Sequence, residues 1–232
     1  MILETEAASA FCQNDGCITL TTEERVLLAD VGVGTIELVV LEVIEFCAGT
    51  GAIKFEVPPS YGALGGESYV DEHFFNLVEE KVPCFFDFCV QECPALSEEL
   101  FHWWQCQKMA FDGSADFSAN FVLIKSGLSK AWMEYDRIRH VHREESEYWS
   151  LFLNFHDFKR AFDTEVDKLI DLISQKIDMV QVVMVVGALA ASPYLMKRTH
   201  EHFKGREQRF VIPEDPRLAV CVGGILLYFS TE

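Results

Sequence analysis

From Phe158 to Ile177 apolar residues recur at steps of four, four, three, four and four (Phe158, Phe162, Val166, Leu169, Ile173, Ile177). That is the spacing of one buried helix face, and Asn154 stands ahead of it as an N-cap. The pattern then changes. Gln-Val-Val-Met-Val-Val at 181–186 is a short, solid apolar run, read as a buried strand that ends in a turn at Gly187. Ser192 as cap and Pro193 at the first helical position open another helix. A strand at 209–212 leads to Asp215-Pro216, the same cap-plus-proline start, and an apolar helix through Tyr228.

The first half is less regular. Residues 26–30 read as a buried strand, 35–43 as its antiparallel partner and 52–57 as a third strand. Pro-Pro-Ser-Tyr-Gly-Ala-Leu-Gly-Gly-Glu-Ser-Tyr at 58–69 breaks the pattern, and a helix follows from Ser68 to Val82 with Val70, Phe74, Leu77 and Val78 on its buried face. Residues 83–118 show least order, apart from a helix from Ser97 to Ala110 with Ser97 as its cap. A short strand at 121–124, a polar helix over 127–145 and a strand at 148–153 complete the reading. Strands alternating with helices predict an α/β fold.

Charge narrows the partners. With 37 acidic against 19 basic residues the net charge is −18, which nucleic acid and anionic membranes repel. The apolar run at 182–191 is too short to span a bilayer. The N-terminal stretch has neither a basic segment nor a long apolar one, so a cytoplasmic chain with reduced thiols is expected. Cys84, Cys89, Cys93, His102 and Cys106 lie close in sequence, but their spacing is not that of a zinc knuckle; buried or free thiols are the favoured reading. His140 and His142, two apart, do not share a helix face. There is no Gly-x-Ser-x-Gly elbow and no Lys-Ser/Thr phosphate loop.

Two glycine turns follow apolar strands, at 30–35 and 187–193, and the second feeds a helix N-terminus. Backbone amides and a helix dipole at such places suit an anion; the same turns also serve as plain tight connections. The order of the pieces adds to this. Leu-Ala-Asp-Val-Gly-Val-Gly-Thr at 28–35 resembles the second phosphate motif of the heat-shock protein 70 and actin ATPase superfamily. The Leu-Gly-Gly-Glu turn at 64–67, Val-Val-Gly-Ala-Leu-Ala-Ala-Ser-Pro at 185–193 and Pro-Glu-Asp-Pro-Arg-Leu-Ala-Val at 213–220 resemble later motifs in the same order. Residues 3–12 resemble the helix linking the two lobes, and the Tyr-Gly-Ala-Leu-Gly and Ala-Ser-Pro-Tyr-Leu spellings are nearest to the heat-shock 70 kDa protein 12 branch.

The resemblance implies an α/β, ribonuclease-H-like, actin-type ATPase lobe with an inserted α+β subdomain. Its core would be 1–49 and 146–232, with a linking helix at 1–11 and the insertion at 50–145. It covers the second lobe only, with no counterpart of the first phosphate loop, so it implies an incomplete ATPase domain: ATP hydrolysis by resemblance, but with the catalytic first lobe lacking, and at best weak binding of ATP or ADP with Mg²⁺. Asp30 would orient water around Mg²⁺, and Gly32, Gly34 and Thr35 would approach the phosphates. Gly187, Ala188 and Ser192 would line the adenosine side, and Lys108 matches a lysine covering the adenosine, with a solvated helix lysine as the plain alternative. Gly65, Gly66 and Glu67 would shape a turn rather than touch ligand. Val33 and Ala188 replace glycines of the pattern, and a β-branched Val33 is strained if the turn requires a positive φ there. The expected partner is a protein client, with self-association through an exposed lobe face. The alternative is a nucleotide-free scaffold that keeps the fold to dock a partner.

Overall fold

The computed structural model describes residues 7, 8, 10–12, 19–46, 53–56, 61–123 and 127–230. In chain order its strands are β1 (Arg25–Val31), β2 (Thr35–Phe46), β3 (Ile53–Glu56), β4 (Tyr61–Leu64), β5 (Ser118–Val122), β6 (Ser150–Asn154), β7 (Val182–Val186) and β8 (Arg209–Val211). Its helices are α1 (Glu67–Lys81), α2 (Phe85–Gln91), α3 (Ala95–Ala110), α4 (Leu128–Ile138), α5 (Phe155–Ser174), α6 (Pro193–His202) and α7 (Ala219–Ser230). They form two compact units, Met1–Tyr69 with Thr164–Glu232, and Val70–Asp163. The chain is α/β, with a mixed sheet and helices.

The sheet of the first unit runs β3-β2-β1-β7-β8, and β4 also pairs with β2. β1 is antiparallel to β2, whereas β1, β7 and β8 are parallel. The solid apolar runs of β1 and β7 follow from burial on both faces. Val26, Leu28, Val182, Met184 and Val186 pack on one side with Val39, Leu41 and Ala219. Leu27, Ala29, Val183 and Val185 are equally inaccessible. Each such side chain contributes on the order of 1.5–3 kcal/mol on leaving water. Asp30 stands opposite Val186, so the carboxyl ends of two parallel strands emerge side by side. In open α/β sheets that edge is where ligands bind.

Two helix starts follow the local chemistry read from the sequence. Asn154 Oδ1 accepts the amides of His156 and Asp157 at 2.9 and 3.2 Å, and Asp157 Oδ2 accepts the Asn154 amide at 2.9 Å, a reciprocal cap for α5. Ser192 Oγ accepts the Leu195 amide at 3.3 Å, with Pro193 at the first position of α6.

Several local expectations are corrected. α5 ends at Ser174, so Ile177 falls in a separate 3₁₀ turn at Ile177–Met179, and the strand expected at 121–124 is β5 at Ser118–Val122, set by its pairing with β6. The segment 58–69 contains β4, which pairs Tyr61 to Leu64 with Leu38 to Thr35; tertiary pairing overrides its weak strand composition. α3 starts at Ala95, and Ser97 donates its hydroxyl to the Pro94 carbonyl instead of capping. Asp215 does not cap either: its carboxylate takes Arg217 at 3.1 Å, and a 3₁₀ turn at Pro216–Leu218 precedes α7. The helix expected over 127–145 stops at Ile138. His140 adopts a φ of +58°, while Val141 and His140 donate to the Asp136 and Arg137 carbonyls. That pair of bonds around a left-handed residue is a Schellman stop, with histidine where glycine is usual.

The second unit packs through aromatic rings. Phe74 and Trp104 stack at 4.1 Å, and Phe111, Phe117 and Phe158 gather within 5.2 Å of one another. It also holds α2, in the stretch that carries least sequence pattern. The expected linking helix at 1–11 lies mostly outside the described residues, although Ala7, Ala8 and residues 10–12 are helical. Among the described residues no helix is long and apolar enough to cross a membrane.

Candidate functional site

The β1–β2 connection is a tight turn closed by the Gly32 amide on the Thr35 carbonyl at 3.0 Å. Its other carbonyls face the start of α1. The Glu67 amide donates to Gly32 O at 3.0 Å, and Gly65 donates to Gly34 O at 3.2 Å. Val33 O accepts both the Ser68 amide at 2.8 Å and the Ser68 hydroxyl at 2.7 Å. In a planar trans peptide each amide points opposite to the preceding carbonyl. With the Gly32 and Val33 carbonyls tied to 67–68, the amides of Val33 and Gly34 point the other way, and neither has a hydrogen-bond partner among the described residues. A methyl group on Gly34 would meet nothing within 4 Å.

Val33 is not strained. The described non-glycine residues with positive φ are Glu23 and His140, so the β-branched side chain at 33 sits on ordinary backbone, 60% exposed. Gly32 and Gly34 likewise have no left-handed φ.

Gly187 follows the residue paired with Asp30 and differs in kind. Its φ is +99°, and a Cβ there would stand 2.4 Å from Asp30 Oδ1 and 2.6 Å from the Val31 backbone. Its amide donates to the Pro216 carbonyl at 3.0 Å. The turn continues with Ala188 in helical backbone and ends at Ser192, whose oxygen is the α6 cap. Asp30, Gly32, Gly34, Thr35, Gly187, Ala188 and Ser192 therefore belong to two adjoining turns at one sheet edge.

Lys108 belongs to the other unit and is not the solvated lysine weighed from sequence. It is 1% exposed, with Nζ 2.8 Å from Asp71 Oδ1. Asp71 also accepts Trp104 Nε1 at 2.6 Å and Gln105 Nε2 at 3.2 Å, which offsets the cost of burying the ammonium beside aromatic rings.

The cysteine–histidine stretch separates into unlike environments. Burial pushes the Cys84 and Cys89 thiols up to about 11, whereas Cys106 is exposed and His102 Nδ1 lies 2.9 Å from the Glu98 carbonyl. Among the described residues no three His, Cys, Asp or Glu side chains come together as a metal site. Asp136 is almost fully buried, taking Arg143 Nε at 2.9 Å and the Tyr148 hydroxyl at 3.2 Å. Burial first, and then that carboxylate, push the Tyr148 hydroxyl up.

The support beneath the first turn was not legible in advance. Glu165 on α5 is 1% exposed, and its Oε2 accepts the Gly66 amide at 2.8 Å from 99 residues away. One signal exists in the sequence: Glu165 is three residues after Phe162 and four before Leu169, an acid on the apolar stripe. Comparison of the chain with family models and with curated proteins gives no match.

Proposed function

We propose that the chain is an ATP- or ADP-binding lobe of the heat-shock protein 70 and actin type, of a chaperone-like class, with the nucleotide's phosphates received at the turn 30–35 and its adenosine side at the adjoining turn 187–192. The observation that carries this is the outward-facing amide pair of Val33 and Gly34, beside Asp30 and the Gly187 turn. Unpartnered amides at the carboxyl edge of a parallel sheet suit an anion. The residues present fit the ligand in a further respect. Gly32 and Gly34 are required neither by φ nor by any neighbour, and an approaching phosphate is a reason for a bare backbone. Asp30 is the residue to hold Mg²⁺ through its waters, the cation supplying charge neutralisation for the phosphates. Ser192 and the start of α6 add a helix N-terminus to the same edge.

Isothermal titration with ATP and ADP, each with and without Mg²⁺, tests the reading. The expected result is micromolar, Mg²⁺-dependent binding that Asp30→Ala abolishes. No heat and no thermal shift at millimolar ATP rejects it.

A second reading, a nucleotide-free scaffold, is favoured by one observation. Ile225, Tyr228 and Phe229 share a face of α7 at spacings of three and one, and each is more than half exposed. An exposed apolar face of this kind serves docking of a protein or of a second copy. Light scattering at high concentration separates these outcomes, with a monodisperse monomer counting against self-association.

A further inference from the structure

We infer that Glu165 and Lys168 are positioning residues for the first glycine turn: they clamp the 64–68 segment and, through it, aim the Val33 and Gly34 amides outward. The consequence for nucleotide rests on the reading above; the clamp itself does not.

The geometry forms one continuous path. Lys168 Nζ lies 2.9 and 3.1 Å from the two Glu165 carboxylate oxygens and donates to the Leu64 carbonyl at 2.9 Å. Glu165 Oε2 holds the Gly66 amide. The pair therefore grips the 64–66 backbone by a carbonyl and an amide at once. Gly65 and Gly66 are squeezed between this pair and the hairpin. A Cβ on Gly65 would lie 2.5 Å from Glu165 Oε2, and one on Gly66, whose φ is +113°, would lie 2.3 Å from Gly32 O. The far side of the same segment makes the bonds from Gly65, Glu67 and Ser68 to the carbonyls of residues 32–34. Peptide planarity converts the direction of those carbonyls into the direction of the next amides.

A buried carboxylate is costly unless its oxygens are engaged. Glu165 meets that condition through a cation on its own helix and a backbone amide from a loop distant in sequence. An apolar residue on the α5 stripe would fill the same space but could not fix the 64–66 backbone. The chemistry at 165 is thus explained by what it holds rather than by packing.

The test uses the full chain, with Glu165→Gln as the conservative variant and Glu165→Ala and Lys168→Met as the disruptive ones. Glutamine keeps an acceptor for Gly66 but loses the charge that holds Lys168. Amide hydrogen exchange resolved to single residues reads the clamp directly. The expected result is exchange at Gly66, Glu67 and Ser68 at least about tenfold faster in Glu165→Ala, a smaller acceleration in Glu165→Gln, and β7 amides unchanged. Unchanged exchange at 66–68 in Glu165→Ala and Lys168→Met overturns the inference. Global acceleration that includes β7 also overturns it, since it makes Glu165 a general core residue. Calorimetry with ATP and with adenosine reads the consequence. Weakening of ATP by about tenfold or more in Glu165→Gln, with adenosine unaffected, supports the aiming of the amides at phosphate. If the wild-type chain binds no ATP while exchange responds as expected, the nucleotide reading fails and the clamp stands.

Discussion

The two glycine turns at the carboxyl edge of β1 and β7 look alike in sequence and are built on opposite principles. At Gly187 the fold itself demands glycine: the φ is +99°, the space for a side chain is taken by Asp30 and Val31, and the amide is consumed by Pro216. At Gly32 and Gly34 the fold demands nothing of the kind, since φ is ordinary and Gly34 faces open space. A glycine fixed from within is evidence about packing. A glycine that nothing within requires points to something that approaches from without. The glycine spellings alone do not separate the two cases; the backbone does.

The largest effect should come from breaking the packed member of the pair. Gly187→Ala places a methyl group against Asp30 and the Val31 backbone at a strained φ, and is expected to cost about 3 kcal/mol in denaturant unfolding. A cost under about 1 kcal/mol would mean that the close approach of the two turns is not maintained in solution. Ser192→Ala, at the end of the same turn, removes the α6 cap and should cost about 1 kcal/mol, read in the same experiment.

Val33 provides a sharper contrast, because the sequence pattern and the backbone give opposite signs. If a valine there replaced a glycine with positive φ, Val33→Gly would relieve strain and stabilise the chain. With the ordinary φ observed, glycine only adds freedom to the unfolded state, so stability should fall by about 0.4–1 kcal/mol. A rise in melting temperature for Val33→Gly would overturn the description of this turn.

Much of the sheet was legible in the sequence because its signals are local or periodic. The β7 run, the α5 stripe from Phe158 to Ile173 and the caps at Asn154 and Ser192 each depend on residues a few positions apart and form as expected, although the helix ends before Ile177. What was not legible depends on contacts distant in sequence. β4 has little strand character of its own and exists through pairing with Thr35 to Leu38. The end of α4 is set by the left-handed backbone at His140, where histidine gives no glycine signal. The candidate site shows the same division. Its turn residues could be named from spacing, but the direction of their amides depends on Ser68, Gly66 and Glu165, and the engagement of Lys108 by Asp71 spans 37 residues. Glu165 on the apolar stripe was the one visible irregularity, and a single acid on a buried face does not say what it holds.

The smallest effect on stability is also the most informative about function. Gly34→Ala adds a methyl group to open space on backbone that alanine can adopt, so the fold should lose nothing and gain up to about 1 kcal/mol from a less flexible unfolded state. The methyl group would nevertheless stand beside the Val33 and Gly34 amides, where the proposed phosphate approaches. ATP affinity should therefore fall by about tenfold or more, roughly 1.4 kcal/mol, in a variant whose unfolding is unimpaired. The opposite pairing, stability lost and ATP affinity kept, would place Gly34 with Gly187 as a packing glycine and remove the main reason for assigning the first turn to a ligand. The variant thus tests the contrast between the two turns at the one position where packing and binding predict opposite outcomes.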